Sequence, residues 1–164
     1  MQNLIIRNAD KNDVPAINEI LNNTILNTNY NLNESVRDIN DAYAWLNEHI
    51  KDNYPIIIAH YNNEVVGWAS LSYFRKFSGY RTTAEVSVYI KDGYKNKGIG
   101  TALLTKLEDL AVNYHMLIAV ITDNNISSIA LHTKCGFVKQ CTLKEVALKN
   151  GEYLDVTFMT KIIN

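Results

Sequence analysis

The stretch from Ala84 to Leu104, AEVSVYIKDGYKNKGIGTALL, constrains this chain more than any other. Thr82 to Ile90 is rich in β-branched residues and alternates, with Glu85, Ser87 and Tyr89 on one face and Val86, Val88 and Ile90 on the other, as a strand requires. The basic glycine loop Lys95-Asn96-Lys97-Gly98-Ile99-Gly100 follows, then an amphipathic helix with an apolar stripe of Ile99, Ala102, Leu103, Leu107, Leu110, Ala111 and Tyr114. Glycines let backbone N–H groups approach a ligand closely, and a helix N-terminus carries partial positive charge, so strand, loop and helix together form a site for an anion such as phosphate. Glu85 places a carboxylate one strand-length upstream, where a reaction centre next to a bound phosphate ligand would need one.

Spacing excludes two nucleotide readings of the loop. A Walker A loop needs Gly-Lys-Ser/Thr, which is absent. A dinucleotide fingerprint needs a third glycine where Leu103 stands.

Around this centre the chain reads β-α-α-β-β-β-α-β-α-β-β, a mixed sheet flanked by helices, in one domain over residues 1–164. Leu4–Arg7 is a short strand. Asp10 is placed to cap a first helix carrying Val14, Ile17, Ile20 and Leu21. The polar run Asn27–Asn33 is a loop. A second helix is expected from about Ser35, with Val36, Ile39, Tyr43, Leu46 and Ile50 as its apolar stripe, ending by Asn53. Pro55–Tyr61 and Val65–Tyr73 form a hairpin about Asn62-Asn63. Leu117–Ile121 is a buried strand. A short helix runs from Ile126 to Lys134 and Gly136 ends it. Phe137–Leu148 and Tyr153–Ile162 pair through Asn150-Gly151.

A formal net charge of −1 gives no general pull toward nucleic acid or a membrane surface, and the basic character around the loop is local to Lys91, Lys95 and Lys97. The N-terminal residues lack a signal-peptide pattern and no apolar run reaches membrane-spanning length, so a cytoplasmic location is expected. Cys135 and Cys141 form no CxxC pair, and His49, His60, His115 and His132 fall in separate elements, so no metal is expected. His132 is the histidine with a suggestive place, just before the Gly136-Phe137 turn from helix to strand.

The glycine loop resembles the acetyl-CoA signature of the GNAT acyltransferase superfamily, with Lys95 where Arg or Gln is usual. Asn125–Phe137 resembles the superfamily's second cofactor segment, with His132 where many members carry a tyrosine general acid. More narrowly, the chain resembles the phosphinothricin acetyltransferase family through Tyr54-Pro55, Gly79-Tyr80, Thr83–Ile90, the loop, Leu131-His132, Gly136-Phe137, Lys149-Asn150-Gly151 and Asp155-Val156. The resemblance implies an α/β (α+β) fold with a GNAT-type mixed, mostly antiparallel central sheet of about seven strands and about four helices. It implies acetyl-CoA as co-substrate, with the backbones of Val88, Tyr89 and Ile90 bonding the pantetheine arm. Lys95, Asn96, Lys97, Gly98, Ile99, Gly100 and Thr101 would hold the pyrophosphate, and Asn125 and Ser128 would touch the cofactor from the second segment.

Glu85 is then the general base for a primary amine attacking the thioester, and His132 a second base or the acid for the leaving thiolate. The N–H of Tyr89 is a candidate to polarise the thioester carbonyl. The implied acceptor is a small amino acid of the phosphinothricin or methionine sulfoximine and sulfone type, with Tyr30, Arg75 and Tyr80 contacting it and Lys76 and Arg81 nearby. A homodimer is expected from the same resemblance. The alternatives are another amine acceptor (a polyamine, an antibiotic or a peptide N-terminus) and a non-catalytic acyl-CoA sensor; the sensor predicts loss of the Glu85 and His132 positions, and both are present.

Overall fold

The computed structural model describes residues 3–164. The elements are β1 (Leu4–Asn8), α1 (Val14–Asn27), α2 (Ile39–Lys51), β2 (Ile56–Tyr61), β3 (Glu64–Tyr73), β4 (Thr83–Ile90), α3 (Ile99–Leu110), β5 (Met116–Thr122), α4 (Ile126–Lys134), β6 (Val138–Lys149) and β7 (Glu152–Ile162). They build a seven-stranded sheet in the order β1-β2-β3-β4-β5-β7-β6. Every neighbouring pair is antiparallel except β4 and β5. The four helices and the mostly antiparallel sheet match the expected fold.

Two apolar clusters cover the two faces. One gathers Leu103, Leu104 and Leu107 of α3 against Ala59, Leu71, Val86, Leu117, Ala119 and Phe137. The other gathers Val14, Ile17, Leu21, Ala42 and Leu46 of α1 and α2 against Ile56, Ile58 and Trp68. Tyr89 stacks on Trp68 on the α1–α2 face, and Val88 and Ile90 pack on the α3 face, so the alternation read from β4 holds.

The turns follow their chemistry. Asn62 and Asn63 both have positive φ, 47° and 62°, as do Asn150 and Gly151, 51° and 80°, as two-residue hairpin turns require. The helix starts differ from expectation. α1 begins after Asp13, not at a cap by Asp10, because the Asp13 carboxylate is taken by Arg7 (2.7 and 2.8 Å) and by the N–H of Asp10. Asp10 closes a local turn onto the N–H of Asn12 instead. α2 begins at Ile39, capped by Asp38, four residues after the expected Ser35. Asn18 and Asn22 of α1 hold Arg37 by its carbonyl, its N–H and its guanidinium Nε, which keeps that segment out of the helix. The buried face of α2 is Ala42, Leu46 and His49, and Val36, Ile39, Tyr43 and Ile50 are exposed. α3 ends at Leu110, so Ala111 and Tyr114 pack from the turn after it.

Candidate active site

β4 and β5 run parallel through only three pairs, Thr83–Met116, Ala84–Leu117 and Glu85–Ile118. Beyond Glu85 they part. β4 stays on β3 as far as Ile90, and β5 stays on β7 as far as Thr122. The wedge between them opens into a cavity of about 660 Å³.

The register decides which backbone groups face the wedge. Lys91 donates its N–H to Val66 across the β3–β4 ladder. Alternation then turns the N–H and C=O groups of Tyr89, Ser87 and Glu85 toward β3 and those of Val86, Val88 and Ile90 toward the wedge. The free hydrogen-bonding groups are therefore those of Val88 and Ile90. The backbone of Tyr89 is engaged with Trp68, which corrects the expectation that its N–H faces a thioester.

The mouth of the wedge is built by the glycine loop. Asn96 (φ 60°) and Gly98 (φ 80°) are left-handed, which turns successive N–H groups the same way. The first intrahelical bond of α3 runs from Ala102 to Gly98, leaving the N–H groups of Ile99, Gly100 and Thr101 without a helical acceptor. Lys95, Asn96, Gly98, Gly100 and Thr101 line the cavity. The side chain of Ile99 is buried in the core, and the ammonium of Lys97 lies over the Tyr94 ring at 5.1 Å, so neither side chain contributes to the lining. Lys95 pairs with Asp92 at 2.6 Å.

Glu85 reaches the cavity from the α1–α2 face, and burial raises its carboxyl pKa against the opposing charge of Arg75. His132 reaches it from the α3 face, since α4 packs against α3, with Leu131 3.0 Å from where a Cβ on Gly100 would stand. The His132 ring is 3% exposed, edge-on to Phe137, with Nδ1 2.8 Å from the Ser128 carbonyl. A carbonyl only accepts, so the proton is on Nδ1. Burial lowers the pKa of the ring, and the lone pair of the neutral form is on Nε2, which is buried and has no partner. Asn125 uses its side-chain oxygen to cap α4 through the N–H of Ser128, and both line the cavity.

Tyr30 lines the cavity too, whereas Arg75 and Tyr80 lie on the exposed loop beside it. The Arg75 guanidinium sits on Phe74 at 5.3 Å, and the Tyr80 ring meets the same Phe74 edge-on. Sequence reading missed Asn31, Leu32 and Asn33, which wall the α1–α2 side, and Thr122, Ser127 and Lys134 on the β5–α4 side. The one sequence signal for the former was their place in a polar loop after α1. Among the described residues no cluster of side chains suits a metal ion, and no helix is long and apolar enough to cross a membrane.

A sheet parted at its parallel pair, amide groups turned outward by a left-handed glycine, and a half-buried carboxylate at the apex are the parts of a transferase that draws on a coenzyme A thioester. The chain belongs to the acetyltransferase (GNAT) family, whose model matches residues 22–137. It is 37% identical to the L-methionine sulfoximine/L-methionine sulfone acetyltransferase of Salmonella typhimurium over 158 residues, 95% of this chain and 92% of that one. Among solved structures, the ribosomal-protein-alanine N-acetyltransferase from Brucella melitensis is 40% identical with a TM-score of 0.94, covering 96% of this chain and 99% of that one. The phosphinothricin acetyltransferase of Sinorhizobium meliloti in complex with AcCoA is 31% identical with a TM-score of 0.93, covering 98% and 88%. The enzyme is an N-acetyltransferase with acetyl-CoA as co-substrate.

Proposed function

We propose that the protein transfers the acetyl group of acetyl-CoA to the α-amine of a small amino-acid-like acceptor of the methionine sulfoximine, methionine sulfone or phosphinothricin type. The observation that carries this is the wedge, which sets unpaired backbone at Val88 and Ile90 between the outward amides of the glycine loop and the Glu85 carboxylate. The relatives named above, one acting on methionine sulfoximine and sulfone and one on phosphinothricin, support that acceptor class.

The parts divide by face. The α3 side receives the nucleotide end: N–H groups of Gly98, Gly100 and Thr101, with Lys95, meet the pyrophosphate, Asn125 and Ser128 flank it, and Val88 and Ile90 bond the pantetheine arm. The α1–α2 side receives the acceptor, walled by Tyr30, with Arg75 and Tyr80 on the adjoining loop offering charge and hydroxyl to an anionic head group. Glu85 removes a proton from the acceptor ammonium, directly or through one water. The freed lone pair forms the N–C bond as the C–S bond breaks, and coenzyme A leaves with that electron pair as a thiolate that takes a proton from water. The neutral His132, with its lone pair on Nε2, fits a second proton acceptor better than an acid for the thiolate.

The same reading places the protein in the cytoplasm, where acetyl-CoA is made and where free thiols such as Cys135 and Cys141 persist. It also makes the protein a homodimer, for which exposed Leu143, Val146, Leu148 and Tyr153 on β6 and β7 supply an apolar surface. The test is thiol release from acetyl-CoA with methionine sulfone, methionine sulfoximine, phosphinothricin, spermidine and an alanine-initiated peptide. Higher kcat/KM for the amino acids is expected. Preference for spermidine or the peptide, or tight acetyl-CoA binding without turnover of any amine, would overturn the proposal.

A further inference from the structure

Lys149, at the end of β6, is only 1% exposed and ranks with the core leucines and isoleucines in burial. Its partners are three backbone carbonyls: Ile25 (2.8 Å), Thr28 (2.8 Å) and Asn31 (2.7 Å). An ammonium has three N–H donors, and each is matched by one acceptor, which is how a buried cation is tolerated without a carboxylate in direct contact. The acceptors are not scattered. Ile25 lies in the last turn of α1, where carbonyls lack helical donors and the helix dipole is negative, while Thr28 and Asn31 belong to the loop that follows.

That loop is the wall of the acceptor side: Tyr30, Asn31, Leu32 and Asn33 line the cavity, and Asn31 donates its amide to the Tyr89 hydroxyl at 2.9 Å. Two further ties fix it to the β6–β7 hairpin. The N–H of Asn150 donates to Glu34 (2.8 Å), and the amide of Asn29 donates to Glu152 (3.1 Å). None of these ties touches α3, the glycine loop or α4. We infer that Lys149 is a positioning residue for the acceptor pocket: its ammonium clamps the end of α1 and the Thr28–Asn31 turn, and so sets where Tyr30 and Asn31 stand opposite Glu85. The inference rests on the acetyl-transfer reading of the cavity and adds a control point on the far side of the sheet from the cofactor.

Lys149→Met keeps the length and apolar stem of the side chain and removes the donors. The clamp predicts a rise of about tenfold or more in KM for the acceptor amine, with the KM for acetyl-CoA and kcat each within about threefold of the parent enzyme. It also predicts faster hydrogen exchange at the amides of Tyr30 and Asn33, which are held by Thr28 Oγ1 and Asn31 Oδ1, with exchange in α3 unchanged. An unchanged acceptor KM with unchanged exchange at those amides, or an acetyl-CoA KM that rises in parallel, would overturn the inference. Should Lys149→Met not fold, Glu34→Ala cuts the neighbouring tie from the surface and must raise the acceptor KM in the same selective way; no change there would overturn it too. If the parent enzyme turns over no amine at all, the acetyl-transfer reading has failed, and the exchange measurement alone decides the clamp.

Discussion

At the scale of single residues, the proposed chemistry turns on how Glu85 is kept basic enough to matter. An α-ammonium holds its proton at neutral pH, and a base works best when its own pKa is brought toward the operating pH. Burial moves the Glu85 carboxyl upward from the ordinary carboxylate range, while the positive charge of Arg75 pulls the other way. The sign follows. The carboxylate form is the active one, so kcat/KM is full above the raised pKa of Glu85 and falls as pH drops through it. In Glu85→Gln that acid limb disappears and kcat falls by about 10²–10⁴-fold. The measurement is the pH profile of kcat/KM in both proteins, and an acid limb that persists in the variant removes Glu85 as the base. His132 shows what a single contact decides. Residue type alone leaves the tautomer open, and the 2.8 Å approach of Nδ1 to the Ser128 carbonyl fixes it: in the neutral ring the proton is on Nδ1 and the lone pair on Nε2.

At the scale of elements, the end of β4 is set by close packing on β3. A Cβ on Gly67 would stand 2.9 Å from the Tyr89 carbonyl oxygen and 2.9 Å from Ile90 Cδ1. The first neighbour is backbone and cannot rotate away. Gly67→Ala is expected to cost about 1–3 kcal/mol in chemical denaturation, as overpacking does, and to weaken acetyl-CoA binding because the displaced strand carries the free groups of Val88 and Ile90. A variant as stable as the parent would show that β4 can shift freely. Elements with a strong local signal were legible in the sequence: β4 by its alternation, α3 by its stripe and both hairpins by their Asn-containing turns. The glycine loop was legible as an anion site for the same reason, since its conformation is dictated locally. What could not be read is what depends on distant partners. The cap expected at Asp10 gives way to a start at Asp13, whose carboxylate is held by Arg7, and Asn18 and Asn22 hold Arg37 outside α2. The orientation of the Tyr89 backbone needs the β3 register, and the Asn31–Asn33 wall needs Lys149, more than a hundred residues downstream.

At the scale of the whole molecule, the sheet is two blocks, β1–β4 and β5-β7-β6, joined across the middle by three residue pairs. A ligand that spans the wedge adds contacts to both blocks and binds only the folded chain. Acetyl-CoA at 100 times its Kd therefore adds about 2.7 kcal/mol of stability. For a chain of this length that corresponds to a Tm raised by roughly 5–10 °C in a thermal melt; no shift at saturating acetyl-CoA would contradict a site that spans the wedge. The parting has a topological side as well. An open sheet has two rims, here β1 and β6, but this one has four, because Val86–Ile90 and Ala119–Thr122 each present a second rim facing inward. Exposed rims recruit other strands and so invite aggregation, and proteins blunt them with charge, prolines or bulges. The inner pair carries β-branched and apolar residues instead, and its safeguard is enclosure: α3 and α4 stand on one side and the turn held by Lys149 on the other. Enclosure keeps the strand edges of other molecules away from the unpaired backbone of Val88 and Ile90, which stays open to a ligand entering along the cavity.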